Sequence, residues 1–475
     1  MHTINQKSTS SDWAGAIAQP AQEFSPTQLQ VISGEIPPGL RGTLYRNGPG
    51  RLERGNIRMG HWFDGDGAIL AVHFTDEGAT GVYRYVQTTG YKEEEAANKL
   101  LYGNYGMTAP GWNKWSKAVK NAANTSVLAL PDKLLALWEG GKPHALDLQN
   151  LETFGEDDLE GLSNGLTYSA HCKRDLHTGE IFNFGVISGL NAMLNIYKSD
   201  RTGKIIQKVQ FQLDGTSLVH DFVLAGQYLI FCIPPVRMNP LSVLMGLSSY
   251  SDAFQWKPQL GTQILIFDRE TLTLISRSET EPWYQWHFSN GYVDDSGLVN
   301  VDIARYEDFQ TNQFLKEVAT GTAKTAAKSS LSRLQLNPQS GKVTAIEQIL
   351  DRQCEFPTVP PQNVGQASRY TYFSTYRQGT DISKEILNAI ARFDHQTEKF
   401  TSSDCGENRY PSEPIYVEDA ENINQAWLIT VVYDGNINNS EVWVFDADRL
   451  DEEPVCKLRL PSVIPHSFHG TWKPA

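Results

Sequence analysis

The chain is short of cysteine, of positive charge and of long apolar runs. Its 475 residues hold five cysteines, Cys172, Cys232, Cys354, Cys405 and Cys456, which are odd in number, far apart and free of any CxxC pair. That pattern excludes a disulfide framework and a cysteine-based zinc site, and it fits reduced thiols in a cytoplasmic protein. Lysine and arginine together number 41 against 55 acidic residues, for a formal net charge of −14. A balance of that sign repels phosphates, so no nucleic acid partner is expected. No stretch approaches the roughly 18 apolar residues of a membrane-spanning helix. The segment Met1–Trp13 is polar, unlike a secretory leader. These absences leave a cytoplasmic protein, free or held against a membrane from one side, as monomer or weak oligomer. Residues 1–25 read as a flexible N-terminal segment.

Helical periodicity is also scarce, and what fills the chain is short β-rich runs. One pattern recurs: an alternating apolar run, a polar turn, then a second run. It occurs at Ala71–Val86, His144–Thr153, Leu194–Val209, Ile264–Ile275, Leu334–Ile346, Ile390–Phe400 and Val442–Leu458. The turns centre on Asp76, Asp147, Asp200, Asp268, Asn337, Asp394 and Asp446, spaced 52 to 71 residues apart. A blade of four short strands with its loops takes about that length. Seven such units predict an all-β, seven-bladed β-propeller occupying residues 1–475 as a single domain; a β-sandwich rich in hairpins is the alternative. Three stretches break the pattern. Residues 110–124 carry Trp112 and Trp115 among lysines, residues 239–250 carry five apolar side chains and no charge, and Glu317–Ser330 reads as a mobile surface insertion.

Four of the eleven histidines keep similar company, each at the edge of an apolar or aromatic strand: His171, His220, His287 and His469. Inner strands of a propeller all face one axis, so residues from distant blades can meet there. A cluster of neutral imidazoles suits iron, copper, zinc or nickel better than calcium or magnesium. Carboxylates are then expected on the second ring nitrogens. A lone histidine beside an apolar strand, by contrast, is ordinarily a core residue. His73, His144, His177, His395 and His466 read as turn or solvent-type positions, and His61 as structural, with Asp64 and Asp66.

A series of motifs decides between these readings. In order stand Tyr45-Arg-Asn-Gly-Pro-Gly50, His61-Trp-Phe-Asp-Gly-Asp-Gly67, Leu135-Ala-Leu-Trp-Glu-Gly-Gly141, Ser169-Ala-His-Cys-Lys173, His220-Asp-Phe222, Cys354-Glu-Phe-Pro357, Glu413-Pro-Ile415 and Phe468-His-Gly-Thr-Trp472. Across nearly its whole length the chain resembles the carotenoid cleavage oxygenases, and within them the bacterial apocarotenoid-cleaving branch. The resemblance implies a propeller capped on one face by loops and short helices, with one Fe(2+) per chain on His171, His220, His287 and His469. It implies that Glu139 orients His220, Glu355 orients His287 and Glu413 orients His469, with His171 left without a carboxylate. Cys172 and Ser467 stand where many relatives have proline and glycine. Thr125 falls at a position close to the metal in relatives.

The implied activity is that of a non-haem iron dioxygenase. With O2 it splits a carbon–carbon double bond of an apocarotenoid or carotenoid into aldehydes, at the central bond to give retinal-type products. The protein's share is to position an apolar polyene. Trp138, Trp286 and Phe356, next to a ligand or a partnering glutamate, are candidates for the tunnel wall as well as for plain core packing. Residues 239–250 and 110–124 are candidates for one-sided, peripheral membrane contact. A stilbene-cleaving member of the family is the nearest rival. A non-catalytic propeller that binds partners is the rival from another class.

Overall fold

In the computed structural model, which describes residues 11–189 and 192–475, seven antiparallel sheets succeed one another along the chain. Blades 2 to 6 each have four strands in sequence order, such as Val223–Ala225, Tyr228–Ile233, Thr262–Asp268 and Leu274–Thr280 in blade 4. The seven-bladed propeller is therefore the architecture, and the sandwich alternative falls. The seven hairpins read from the sequence are the third and fourth strands of the blades, counted from the axis. Six of their turn residues act through the side chain: Oδ1 of Asp147, Asp200, Asp268, Asn337, Asp394 and Asp446 each accepts a hydrogen bond from the backbone N–H two residues on. This Asx geometry is why aspartate and asparagine mark the turns.

Burial explains the strand sequences. Tyr228–Ile233 reads YLIFCI and is buried throughout, because a second strand has a blade on either side. Leu229 and Phe231 pack toward blade 3, while Ile230 and Cys232 pack toward blade 5. Outer strands such as Ile205–Gln212 have water on one side and alternate. All five cysteines are free thiols.

Both chain ends close the ring. The innermost strand of blade 1 is Gly470–Pro474, paired with Gly42–Arg51, and the outermost strand of blade 7 is Gln30–Gly34, paired with Cys456–Arg459. A flexible segment over residues 1–25 is not what the described part shows. Asp12–Ile17 is a 3-10 helix, Trp13 is fully buried, and its indole Nε1 donates to the Lys384 carbonyl at 3.0 Å. Residues 1–10 lie outside the described residues. An apolar helical turn gains too much from burial to stay loose.

Short helices and loops cap one face. They include Thr89–Ala97, Asn113–Ser116, Pro240–Leu244 and Gln310–Thr320. The expected mobile insertion at 317–330 is instead part of this cap. Its helix stops at Gly321, whose φ of +79° suits glycine, and Glu317 accepts the N–H groups of Lys324 and Thr325. Beneath the cap lies a buried ionic knot. Arg54 and Lys120 both hold Asp66, at 2.9 and 2.7 Å, and Lys120 also holds Glu94 at 2.9 Å. It ties blade 1 to the cap and commits the Lys120 ammonium to structure. His61 and Asp64 cap a neighbouring 3-10 turn, as their structural reading anticipated.

Candidate metal centre

The innermost strands deliver the four histidines. His171 and His220 lie just before Lys173–Arg174 and Val223–Ala225, His287 lies within Tyr284–Val293, and His469 just precedes Gly470–Pro474. All four are buried, and each offers one ring nitrogen within 4.8 Å of the others. Nε2 of His171 is 2.9 Å from Nε2 of His220, and Nε2 of His287 is 3.1 Å from Nε2 of His469. Two imidazoles at right angles on one metal, each about 2.1 Å from it, would stand about 3.0 Å apart. The donor set therefore fits a single transition-metal ion.

Three rings are backed by carboxylates on the far nitrogen. Glu139 contacts His220 Nδ1, Glu355 contacts His287 Nδ1, and Glu413 lies 2.9 Å from His469 Nδ1. These are the pairings that the resemblance implied. A carboxylate there keeps the proton on Nδ1 and leaves the Nε2 lone pair for a metal. Burial alone would raise the carboxyls of Glu355 and Glu413. The neighbouring His287 and His469 rings outweigh it and hold both below the usual range. Burial, with three imidazoles around it, pushes His171 well below the usual imidazole range. His171 has only Asp221 near its Nδ1, at 3.9 Å, and that carboxylate is engaged by Lys173 at 2.8 Å.

Further residues hold the glutamates, and sequence reading did not single them out. The Tyr306 hydroxyl donates to Glu355 Oε1 at 2.8 Å. Arg46 Nη1 donates to Glu413 Oε2 at 2.9 Å, while its Nη2 reaches Ser467 Oγ and the Phe468 carbonyl. Arg46 stood in the first motif as a signal, and Ser467 was noted as a departure; the hydroxyl it brings is an extra acceptor for the arginine. Phe356 follows Glu355 with φ at +50°, a costly conformation for a bulky residue. It lets one Glu355 oxygen meet both His287 and the Phe356 N–H. Cys172, the other departure, receives the Asn183 amide on Sγ, and burial pushes its thiol up to about 12.

A cavity of about 100 Å³ opens from the histidines and runs beneath the cap. His220, His287 and His469 line it, as do Thr125, Trp286 and Phe356 among the expected wall residues. Thr125 is anchored at both ends, accepting the His469 N–H on its carbonyl and donating from Oγ1 to Asn124. Trp138 does not line the cavity; its ring lies over Gly140 and Gly141. His144 and His466, both expected in turn or solvent-type contexts, are buried, and His466 lines the cavity. Phe63 lies parallel to the His220 ring, and Trp286 meets it edge-on.

Comparison with known proteins agrees with this geometry. The family model described as retinal pigment epithelial membrane protein matches residues 17–474. The chain belongs to the carotenoid oxygenase family. It is 32% identical to the apocarotenoid-15,15'-oxygenase of Synechocystis, over 97% of this chain and 96% of that one. It is 27% identical to resveratrol cleavage oxygenase 1 of Aspergillus fumigatus, over 94% and 92%. The crystal structure of the cobalt-substituted Synechocystis oxygenase superposes with a TM-score of 0.87 at 30% identity, covering 98% of each chain. The carotenoid oxygenase chain is thus an oxygenase with four buried histidines able to hold a metal.

Proposed function

We propose that the protein uses one Fe(2+) per chain, on His171, His220, His287 and His469, to cleave an apocarotenoid or carotenoid at its central double bond. One alkene and one O2 give two carbonyl products, retinal-type for the central bond, with both oxygen atoms retained. The observation that carries this reading is four converging Nε2 atoms opening onto an aromatic cavity. The 32% identity to a protein named for apocarotenoid 15,15' oxygenation supports the substrate and the bond.

Iron(II), when bound, supplies the redox chemistry toward dioxygen. The chain's own part is geometric. Glu139, Glu355 and Glu413 hold the protons on Nδ1 and so keep the lone pairs of three Nε2 atoms inward. Trp286, Phe63 and Phe356 offer apolar faces that grip a polyene and keep water out. The Thr125 side chain, anchored on Asn124, limits the room beside His469. Activation of a stilbene's phenol calls for polar groups, often a tyrosine and a lysine; among the described residues tyrosines line the cavity and no lysine does, since Lys117 pairs with Glu93 and Lys120 sits in the buried knot.

We also propose peripheral attachment to a membrane, from which such a substrate would enter. Among the described residues, no helix is long and apolar enough to cross one. The support is an exposed apolar patch: Trp112 at 83% and Trp115, with Leu241, Leu244 at 75% and Leu247. The Lys114 side chain reaches Gly246 and joins the two stretches.

Iron-loaded protein incubated in air with an apocarotenal, an intact bicyclic carotenoid and a hydroxystilbene tests the activity, with products identified by chromatography and mass spectrometry. A retinal-type product from the apocarotenal is expected. Cleavage of the stilbene alone would overturn the substrate, and no product from iron-loaded protein would overturn the activity.

A further inference from the structure

His466 lines the cavity three residues before His469, which puts their Cα atoms at most about 11 Å apart. Its Nε2 lies 2.7 Å from the Trp13 carbonyl oxygen. A carbonyl has no proton to give, so Nε2 carries the ring hydrogen, and Nδ1 of the neutral ring is an acceptor only. Burial holds the pKa down at about 4, so the ring is neutral near pH 7. No described residue donates to Nδ1. Tyr410 and Tyr433 meet the ring edge-on, with centroids 5.9 and 5.6 Å away, and fix its plane.

The phenols around it have committed their protons. Tyr410 donates to Glu385 Oε2 at 3.0 Å, Tyr433 to Asn438 Oδ1 at 2.9 Å, and Tyr376 to the Glu385 carbonyl at 3.1 Å. Their oxygens keep only lone pairs. These four side chains thus offer acceptors and no free donor of their own; the unpartnered Ser374 hydroxyl also lines the cavity, two residues from Tyr376. A carbonyl or ether placed among them stays unpaired, which costs binding. A hydroxyl is matched.

We propose that His466 is a specificity-determining residue, whose Nδ1 accepts a hydrogen bond from a hydroxyl group on the substrate, away from the bond that is cleaved. The inference rests on reading this cavity as the substrate site of the proposed reaction. The hydroxyl has two possible sources, the terminal ring of an oxygenated carotenoid fragment or the phenol of a hydroxystilbene, and the two are separable by experiment.

Iron-loaded protein is titrated under nitrogen, with binding followed by quenching of tryptophan fluorescence. The probes are two matched pairs: an apocarotenal with and without a ring hydroxyl, and 4-hydroxystilbene with stilbene. The hydroxylated member of one pair is expected to bind about 3- to 10-fold more tightly, as one added neutral hydrogen bond gives. The pair that discriminates identifies the source. His466→Phe is expected to erase the difference by weakening the hydroxylated member alone, with iron content unchanged; the lost bond to the Trp13 carbonyl lowers the melting temperature without unfolding the protein. His466→Gln, which can donate to Trp13 and still accept, is expected to restore part of it. Equal binding within both pairs by the unaltered protein overturns the proposal whatever the variants do. So does no binding of any probe, or a His466→Phe variant that weakens both members alike. Discrimination in binding with no cleavage in air would sink the proposed activity and leave the hydroxyl site standing.

Discussion

Arg46, on the second strand of blade 1, donates from Nη1 to Glu413, and Glu413 holds the ring of His469. One guanidinium therefore fixes a histidine of the centre through a carboxylate. Arg46 is 1% exposed, so its loss strands a buried negative charge. Arg46→Leu is expected to cost roughly 3–5 kcal/mol and to lower iron content together with stability. Calorimetry and metal analysis on the same preparation check both; a melting temperature unchanged from the parent would refute the role.

The histidines divide cleanly. His220→Ala is expected to lose iron and activity, because it removes one of four converging nitrogens. His395→Ala is expected to keep both, because His395 binds Arg333 and Thr371 between blades 5 and 6 and is not among the four converging histidines. Equal activity in the two variants would dissolve the ligand assignment.

Glu355→Gln keeps the shape and removes the charge behind His287. Iron affinity is expected to fall about 10- to 100-fold. Tyr306→Phe, which removes only the hydroxyl on Glu355, is expected to have a smaller effect in the same direction. Competition with a chelator of known affinity measures both, and a Tyr306→Phe effect exceeding that of Glu355→Gln would reverse this order of dependence.

Burial holds His144 and His466 down at about 4. A free histidine titrates near 6.5, so between pH 6.5 and 4 the unfolded chain binds more protons than the folded one. Stability from these groups is fully present above pH 6.5 and falls as the pH drops through that window, by up to about 1.4 kcal/mol per pH unit for each. Melting temperature measured from pH 7.5 to 4 is expected to fall on the acid side. His144→Gln is expected to flatten the fall by one proton; an identical slope would show that His144 is not kept neutral.

Leu244→Glu combined with Leu247→Glu places two charges in the exposed patch. Flotation with phosphatidylcholine vesicles is expected to drop while iron content holds. Unchanged flotation and unchanged turnover would remove residues 239–250 from the membrane reading.

The hairpins were legible because their cues are local: an alternating half-exposed strand and an Asx turn lie within about 15 residues of each other. The four histidines and three glutamates were legible through motifs. The cavity wall was less so, and the reason is backbone geometry. Reading Trp138 as wall because it adjoins Glu139 assumed that neighbours share a face. In extended backbone they alternate, and with Glu139 on His220 the indole turns to Gly140. The same reasoning succeeded for Phe356, where φ of +50° breaks the alternation, and for Trp286, where the strand register shifts between Gln285 and Phe288. Tyr306 and Phe63 reach the cavity from positions that no neighbouring ligand marked, while His466, three residues before His469, was marked by its place but not by its context.

Ring closure has a bearing on how the centre comes into being. His469 enters beside Gly470–Pro474, the strand that completes blade 1 by pairing with Gly42–Arg51. A chain emerging from the ribosome presents His171, His220 and His287 long before it presents the fourth nitrogen. Until the ends of the propeller zip together, at most three imidazoles are at hand, and Glu413 has no ring to hold. Full coordination is therefore a proof of completed topology: a molecule that carries its ion on all four nitrogens has, by that fact, finished folding.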